Sequence, residues 1–197
     1  MHKVITLAGA AMLSNGFQEL AIINWAFLLR VQSEGVPLEA GSAEEKDDLP
    51  AERHSAVWAD NKALHIRLRR RKHRLAGSYL ARRCECHSAG ARLCPVHRVV
   101  AYLKASRVGK RLFSFSNSEF TRTLRRFLTL ALTPNPAAFT LKAFRAGRAT
   151  EMAAQGNSLG AILAAGEWKS AQFLRYVDTD MVEQKVLFER ALESDSD

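Results

Sequence analysis

Thr140-Leu-Lys142-Ala-Phe-Arg145-Ala-Gly-Arg148-Ala-Thr150, Gly166-Glu-Trp168-Lys169-Ser170 and Phe173-Leu-Arg175-Tyr176-Val-Asp178 follow one another in the last third of the chain. Their surroundings carry helix-like patterns over Leu141 to Gln155, Leu159 to Ala165, Ser170 to Val177 and Met181 to Leu192. Gly156-Asn157 is a helix stop, and the Ser158 hydroxyl is placed to cap the helix that follows. A succession of short helices therefore carries an arginine, an indole and a phenol in that order.

Upstream, Ser116 or Asn117 caps a helix that reaches about Leu132, where Thr133-Pro134-Asn135-Pro136 stops it. Pro95 opens another helix to about Ser106, since proline is tolerated in a first turn. Arg111 to Phe115 is a short apolar segment with strand character, and Gly77 to Leu93 lacks periodicity. Ser55 to Asp60 and Ala63 to Leu68 read as two strands turning at Asn61-Lys62. Glu34 to Arg53, with Gly35, Pro37, Gly41 and Pro50, is expected to be a mobile acidic loop, most clearly over 35–53. A first helix is expected over Phe17 to Val31, with Leu20, Ile23, Phe27 and Val31 on its apolar stripe. The expected fold class is α+β: mainly helical, with a small antiparallel sheet in the N-terminal third, in one domain spanning 1–197.

At 197 residues and 47% hydrophobic, the chain can bury one good core. No apolar run reaches the roughly 18 residues of a membrane span, and the apolar segment Ala21 to Leu29 lacks the flanks of a signal peptide. Three cysteines without such a signal point to a reducing compartment and away from a disulfide framework. The net charge of +9 calls for a polyanionic partner. The basic residues are concentrated between Lys62 and Lys110, where Glu85 is the only acid, while Glu39 to Glu52 and Asp178 to Asp197 are acidic. This distribution suits one face that tracks phosphates.

The quoted string resembles the C-terminal active-site half of the tyrosine recombinases, the phage-integrase family that includes Cre. The resemblance covers about Phe17 to Asp197 and is strongest from Thr140 to Asp178. It implies a catalytic domain of that fold. The implied activity is DNA strand cleavage and rejoining through a covalent 3′-phosphotyrosine, with double-stranded DNA as partner and a homo-tetramer on paired sites. No cofactor is required for this chemistry, and no membrane is involved. The chain starts almost at the first catalytic helix, so a separate N-terminal DNA-clamping domain is expected to be absent.

Such cleavage needs an in-line nucleophile, cations on the nonbridging oxygens and a proton for the leaving 5′ oxygen. Arg145 is the strongest clamp candidate, because a guanidinium binds phosphate bidentately and stays charged. Lys142-Ala-Phe-Arg145 resembles the His-x-x-Arg box with lysine replacing histidine, followed by the Gly-x-Ala-Thr helix that contains Arg148. Arg30 matches the first family arginine, with Glu34 as its orienting carboxylate and one extra residue before Ser33-Glu34. Lys72, in Arg69-Arg70-Arg71-Lys72-His73-Arg74, corresponds to the mobile hairpin lysine that protonates the leaving oxygen, with His73 or Arg71 as alternatives. Trp168 can donate its indole N–H to a nonbridging oxygen while its ring packs the tyrosine helix. Tyr176 is the expected nucleophile, one residue closer to Trp168 than the usual bacterial spacing. Arg67, Arg69, Arg70, Arg71, Arg74, Arg148 and Lys169 are expected to contact DNA.

Cys84, Cys86, Cys94 and His97 offer three thiols and an imidazole, enough for a structural zinc ion outside the chemistry. Free thiols are the competing expectation. Two other functional readings stand beside strand transfer: a DNA-binding remnant of a mobile-element recombinase that has lost cleavage, and a zinc-stapled nucleic-acid-binding module. A type IB topoisomerase shares the chemistry, but the Gly-x-Ala-Thr and Trp-Lys-Ser segments look more like an integrase.

Overall fold

The first helix, α1 (Phe17–Ala26), is buried on nearly every side, with Phe17, Gln18, Leu20, Ala21, Ile22, Ile23 and Asn24 all inside. The buried helix expected from the apolar run Ala21 to Leu29 is found as a central one, with burial extending beyond the single stripe read from the spacing. The computed structural model describes residues 16–42, 55–60, 62–71, 76–84, 86, 94–169 and positions 174, 177, 178, 180, 182 and 183. Around α1 lie α2 (Pro95–Lys104), α3 (Asn117–Leu130), α4 (Ala143–Ala154) and α5 (Leu159–Gly166). Phe17 anchors the core at ring-centroid distances of 4.7 Å from Phe120, 5.4 Å from Phe127 and 6.1 Å from Phe115. Ser116, the N-cap of α3, makes a full capping box with Glu119.

The helix expected to reach Val31 ends five residues earlier, at Ala26. Leu28 adopts φ 49°, its N–H donates to the Trp25 carbonyl, and the Leu29 N–H donates to the Asn24 carbonyl. This is a Schellman turn with leucine where glycine is usual. A single π-helical turn, Val31–Gly35, follows. Gly35 passes so close to Asn24 that a Cβ there would overlap the amide side chain.

Four strands form one sheet in the order β1 (Glu39–Ala40), β2 (Ala56–Ala59), β3 (Ala63–Leu68), β4 (Ser78–Arg83). The β2–β3 hairpin is antiparallel, as expected, pairing Val57 with Ile66 and Trp58 with His65. Two strands escaped the sequence reading. β4 pairs antiparallel with β3 from a segment without visible periodicity, and β1 runs parallel to β2 inside the expected acidic loop. The sheet is therefore mixed. Arg111 to Phe115 contributes one bridge among the described residues, Glu39 to Arg111. Leu64, Ile66, Leu68 and Leu80 face the core. The expected helices over 170–177 and 181–192, and most of the loop over 43–54, fall largely or wholly outside the described residues.

On the opposite face of the sheet, His65 stacks with both Trp58 and Tyr79, and the three ring centroids lie within 6.0 Å of one another. Asp60 accepts hydrogen bonds from the N–H groups of Lys62 and Ala63, both 2.7 Å, and lies 2.8 Å from His65 Nε2. These bonds, Lys62 first, then His65 and Ala63, hold the Asp60 carboxyl down at about 2. A depressed carboxyl stabilises the fold above its unfolded value of about 3.9 and loses that contribution as pH falls through its folded value. Asp60→Ala should therefore lower the urea midpoint at neutral pH, and the gap from wild type should close as pH falls toward 2. A gap of constant size across that range would contradict this account of the turn.

Candidate functional site

α1 and α5 end in the same way, side by side. In α5 the Glu167 N–H donates to the Ala164 carbonyl and the Trp168 N–H to the Leu163 carbonyl, with Glu167 at φ 49°. Both helices thus close with a left-handed residue other than glycine, a conformation that costs roughly 1–2 kcal/mol. Each side chain has a use. Leu28 is buried with Ala149, Met152 and Ile162 in a second apolar cluster. Glu167 accepts a hydrogen bond of 2.7 Å from Arg71 Nη1 and one of 2.5 Å from the Ser78 hydroxyl.

Arginines hold these two helix ends together. Arg82 donates from Nε to the Ala26 carbonyl at 2.8 Å and from Nη2 to the Ala165 carbonyl at 3.4 Å. It therefore caps corresponding carbonyls of α1 and α5, where the helix dipoles are negative. Its guanidinium stands 5.1 Å above the Phe27 ring, and burial, with Arg148 and Arg71 nearby, pulls its pKa down from the ordinary value. Arg71 donates to the Leu28 carbonyl at 3.3 Å and pairs with Glu34 Oε1 at 3.3 Å. Glu34 also accepts from the Arg30 backbone N–H at 2.8 Å and from Arg30 Nη1 at 2.9 Å. Arg30 and Glu34 thus meet across the π turn, which accommodates the extra residue noted before Ser33.

Arg145, on the first turn of α4, is 4% exposed. Its Nη2 donates to the Gly166 carbonyl at 2.6 Å, and its guanidinium lies 4.4 Å from the Trp168 ring centroid. Gly166 is required here, because a Cβ would overlap the Trp168 ring. The glycine-to-tryptophan spacing is thus a packing constraint. Arg148, one turn along, pairs with Glu151 at 2.6 Å, and its Nε is buried with no hydrogen-bond partner among the described residues. Gly147, between the two arginines, lies against the Trp25 ring.

The structure gathers Arg30, Arg71, Arg82, Arg145, Arg148 and Trp168 around the paired helix ends, with Glu34, Glu151 and Glu167 among the carboxylates bonded to them. Lys142 is exposed at the N-cap of α4, and Lys169 is exposed just past Trp168. Arg69 and Arg70 are exposed and Arg67 is half-buried on β3. Arg71 departs from the expectation of a DNA-contacting surface residue: its side chain is 2% exposed and is held by carboxylates and a carbonyl. Lys72, His73, Arg74 and Tyr176 lie outside the described residues. Their described neighbours include Val177, packed on the Leu28 cluster, and Asp178, whose N–H donates to Thr150 Oγ1 on α4 at 3.0 Å.

Sequence reasoning missed Glu167, Ser78 and Arg82. The signal for Glu167 was its position, a non-glycine residue directly after a helix end. It also gave Tyr79 no context, whereas the phenol lies 2.6 Å from His65 Nδ1.

At the far end of β4 a second cluster forms. Cys84, Cys86, Cys94 and His97 place their ligand atoms within 4.8 Å of one another, a group that can hold a metal ion. Loss of water, followed by the Cys94 and Cys84 thiols, pushes Cys86 up to about 12. No protein-family model, curated protein or solved structure matches the chain.

The Arg71 network predicts a large stability effect. Arg71→Ala leaves two carboxylates inside without their shared cation, and should cost about 3–5 kcal/mol in urea unfolding. Lys169→Ala, at an exposed position, should stay within about 0.5 kcal/mol. A cost for Arg71→Ala as small as that for Lys169→Ala would show that the network does not hold the helix ends.

Proposed function

We propose that the chain is a DNA strand transferase of the tyrosine-recombinase type, cleaving and rejoining double-stranded DNA through a 3′-phosphotyrosine. The observation that carries the reading is the gathering of Arg30, Arg145 and Trp168, from opposite ends of the sequence, at one pair of helix ends. Among the described residues and the bonds named above, five guanidiniums meet three carboxylates, Glu34, Glu151 and Glu167, an excess of positive charge. A phosphodiester is the ligand that such an excess suits.

In this reading Arg30 and Arg145 take the nonbridging oxygens, and Trp168 buttresses Arg145 and offers its indole N–H. Lys142 adds charge at the rim, Lys72 protonates the leaving 5′ oxygen, and Tyr176 attacks phosphorus. Glu34, Glu167 and Arg82 are positioning residues that act through the arginines and the helix ends. Arg67, Arg69, Arg70, Arg74 and Lys169 track the DNA backbone, and Arg148 joins them from α4. Two duplexes must be cut to recombine, which calls for a homo-tetramer on paired sites. The Cys84 cluster takes structural zinc and no part in the phosphoryl chemistry. Among the described residues no helix is long and apolar enough to cross a membrane.

A nicked suicide duplex, from which the 5′-hydroxyl fragment diffuses away, should trap a protein–DNA adduct that survives denaturation. Tyr176→Phe should bind the duplex and form no adduct. Arg145→Ala should slow adduct formation about a hundredfold to a thousandfold, the usual effect of losing one preorganised charge donor. An adduct that persists in Tyr176→Phe would overturn the choice of nucleophile. Duplex binding without an adduct, across a pool of nicked sequences, would favour the DNA-binding remnant instead.

A further inference from the structure

The four ligand atoms of the Cys84 cluster lie within 4.8 Å of one another, and two of their separations are those of a tetrahedral metal site. Cys84 Sγ is 3.7 Å from Cys94 Sγ and 3.8 Å from His97 Nε2. Ligands about 2.3 Å from a tetrahedral zinc ion stand about 3.8 Å apart along each edge. The sulfur separation is far too long for a disulfide, whose sulfurs are about 2.05 Å apart. Soft thiolates with one imidazole select zinc over hard cations such as magnesium or calcium.

Its position matters as much as its geometry. β4 is the edge strand of the sheet, and among the described residues nothing pairs with its outer side. Cys84 directly follows β4, and its N–H donates to the Lys62 carbonyl at 2.7 Å. Cys94 is the N-cap of α2, Pro95 opens that helix, and His97 lies on its first turn. A metal ion therefore ties the end of the edge strand to the start of a helix packed on α1. Along the same strand, Arg82 holds the carbonyls of Ala26 and Ala165, and Ser78 holds Glu167. Arg82 is two residues from the first metal ligand, and a strand is stiff over that distance.

We infer that zinc bound by Cys84, Cys86, Cys94 and His97 controls the arginine site through β4, keeping Arg82 seated between the ends of α1 and α5. Loss of the ion frees the strand end, unseats Arg82 and loosens the turns that present Arg30 and Arg145. The regulatory role rests on the strand-transfer reading of that site; the metal site and its mechanical link do not.

The test uses the full chain and reads no DNA cleavage, so its outcome is independent of the strand-transfer reading. Metal analysis should find one zinc per chain, lost in Cys94→Ser, and cobalt substitution should give the intense visible bands of tetrahedral thiolate ligation. Hydrogen exchange is then followed at 26–34 and 163–169, with 117–130 in α3 as the control. Chelation should speed exchange at the Leu29 and Trp168 amides about tenfold or more while α3 stays protected. Arg82→Ala with zinc still bound should speed the same amides. Zinc-free wild type with the same exchange pattern would remove the metal site. Zinc binding without change at the two turns would remove the link, as would chelation that exposes α3 equally. Protected turns in zinc-loaded Arg82→Ala would show that the strand does not act through Arg82.

Discussion

The ion network Glu34–Arg71–Glu167 is the constraint on which the site depends. Arg71 and Glu34 are almost wholly inside, and Glu167 is nearly so. A buried carboxylate or guanidinium that loses its partner costs far more than the pair contributes, so these segments have one acceptable arrangement. That arrangement brings the turn after α1, the end of β3 and the end of α5 to a common point. Arg30 shares Glu34, and Arg145 bonds the carbonyl next to Glu167, so both take their places from it.

Charge alone does not explain why the helix ends are so firmly defined. Leu28 and Glu167 both occupy left-handed backbone where glycine would sit without strain. Glycine at 28 would abandon the second apolar cluster, and glycine at 167 would abandon Arg71 and Ser78. The backbone strain is offset by contacts that only these side chains make. Arg82 completes the arrangement by joining the two ends to each other.

Much of this was legible in the sequence, and what was missed has a physical cause. Helices with a cap or a stop, such as the one opened by Ser116 and the one ended at Gly156, were placed well because local chemistry decides them. The β2–β3 hairpin was legible from its composition. β4 was not, because Tyr79, Ala81 and Arg83 on its outer face give no alternation that separates it from loop. α1 was drawn too long because its Schellman turn contains no glycine. In the site, Arg30, Arg145 and Trp168 were legible as residue types in order. The burial of Arg71 was not, since it lies in an unbroken basic run and only the fold shows which member turns inward.

The central claim is that the guanidiniums at the paired helix ends receive a phosphodiester. Nitrogen-15 spectra of the arginine Nε–H groups, recorded while a short duplex is titrated in, test it most directly. Arg30, Arg145 and Arg148 should shift together and saturate with one affinity, and that affinity should fall steeply as salt is raised. Arg122 and Arg125, on α3 and outside the network of Glu34, Arg71 and Glu167, should respond weakly or not at all. Shifts confined to surface arginines, with Arg30, Arg145 and Arg148 unmoved at saturating duplex, would contradict the account.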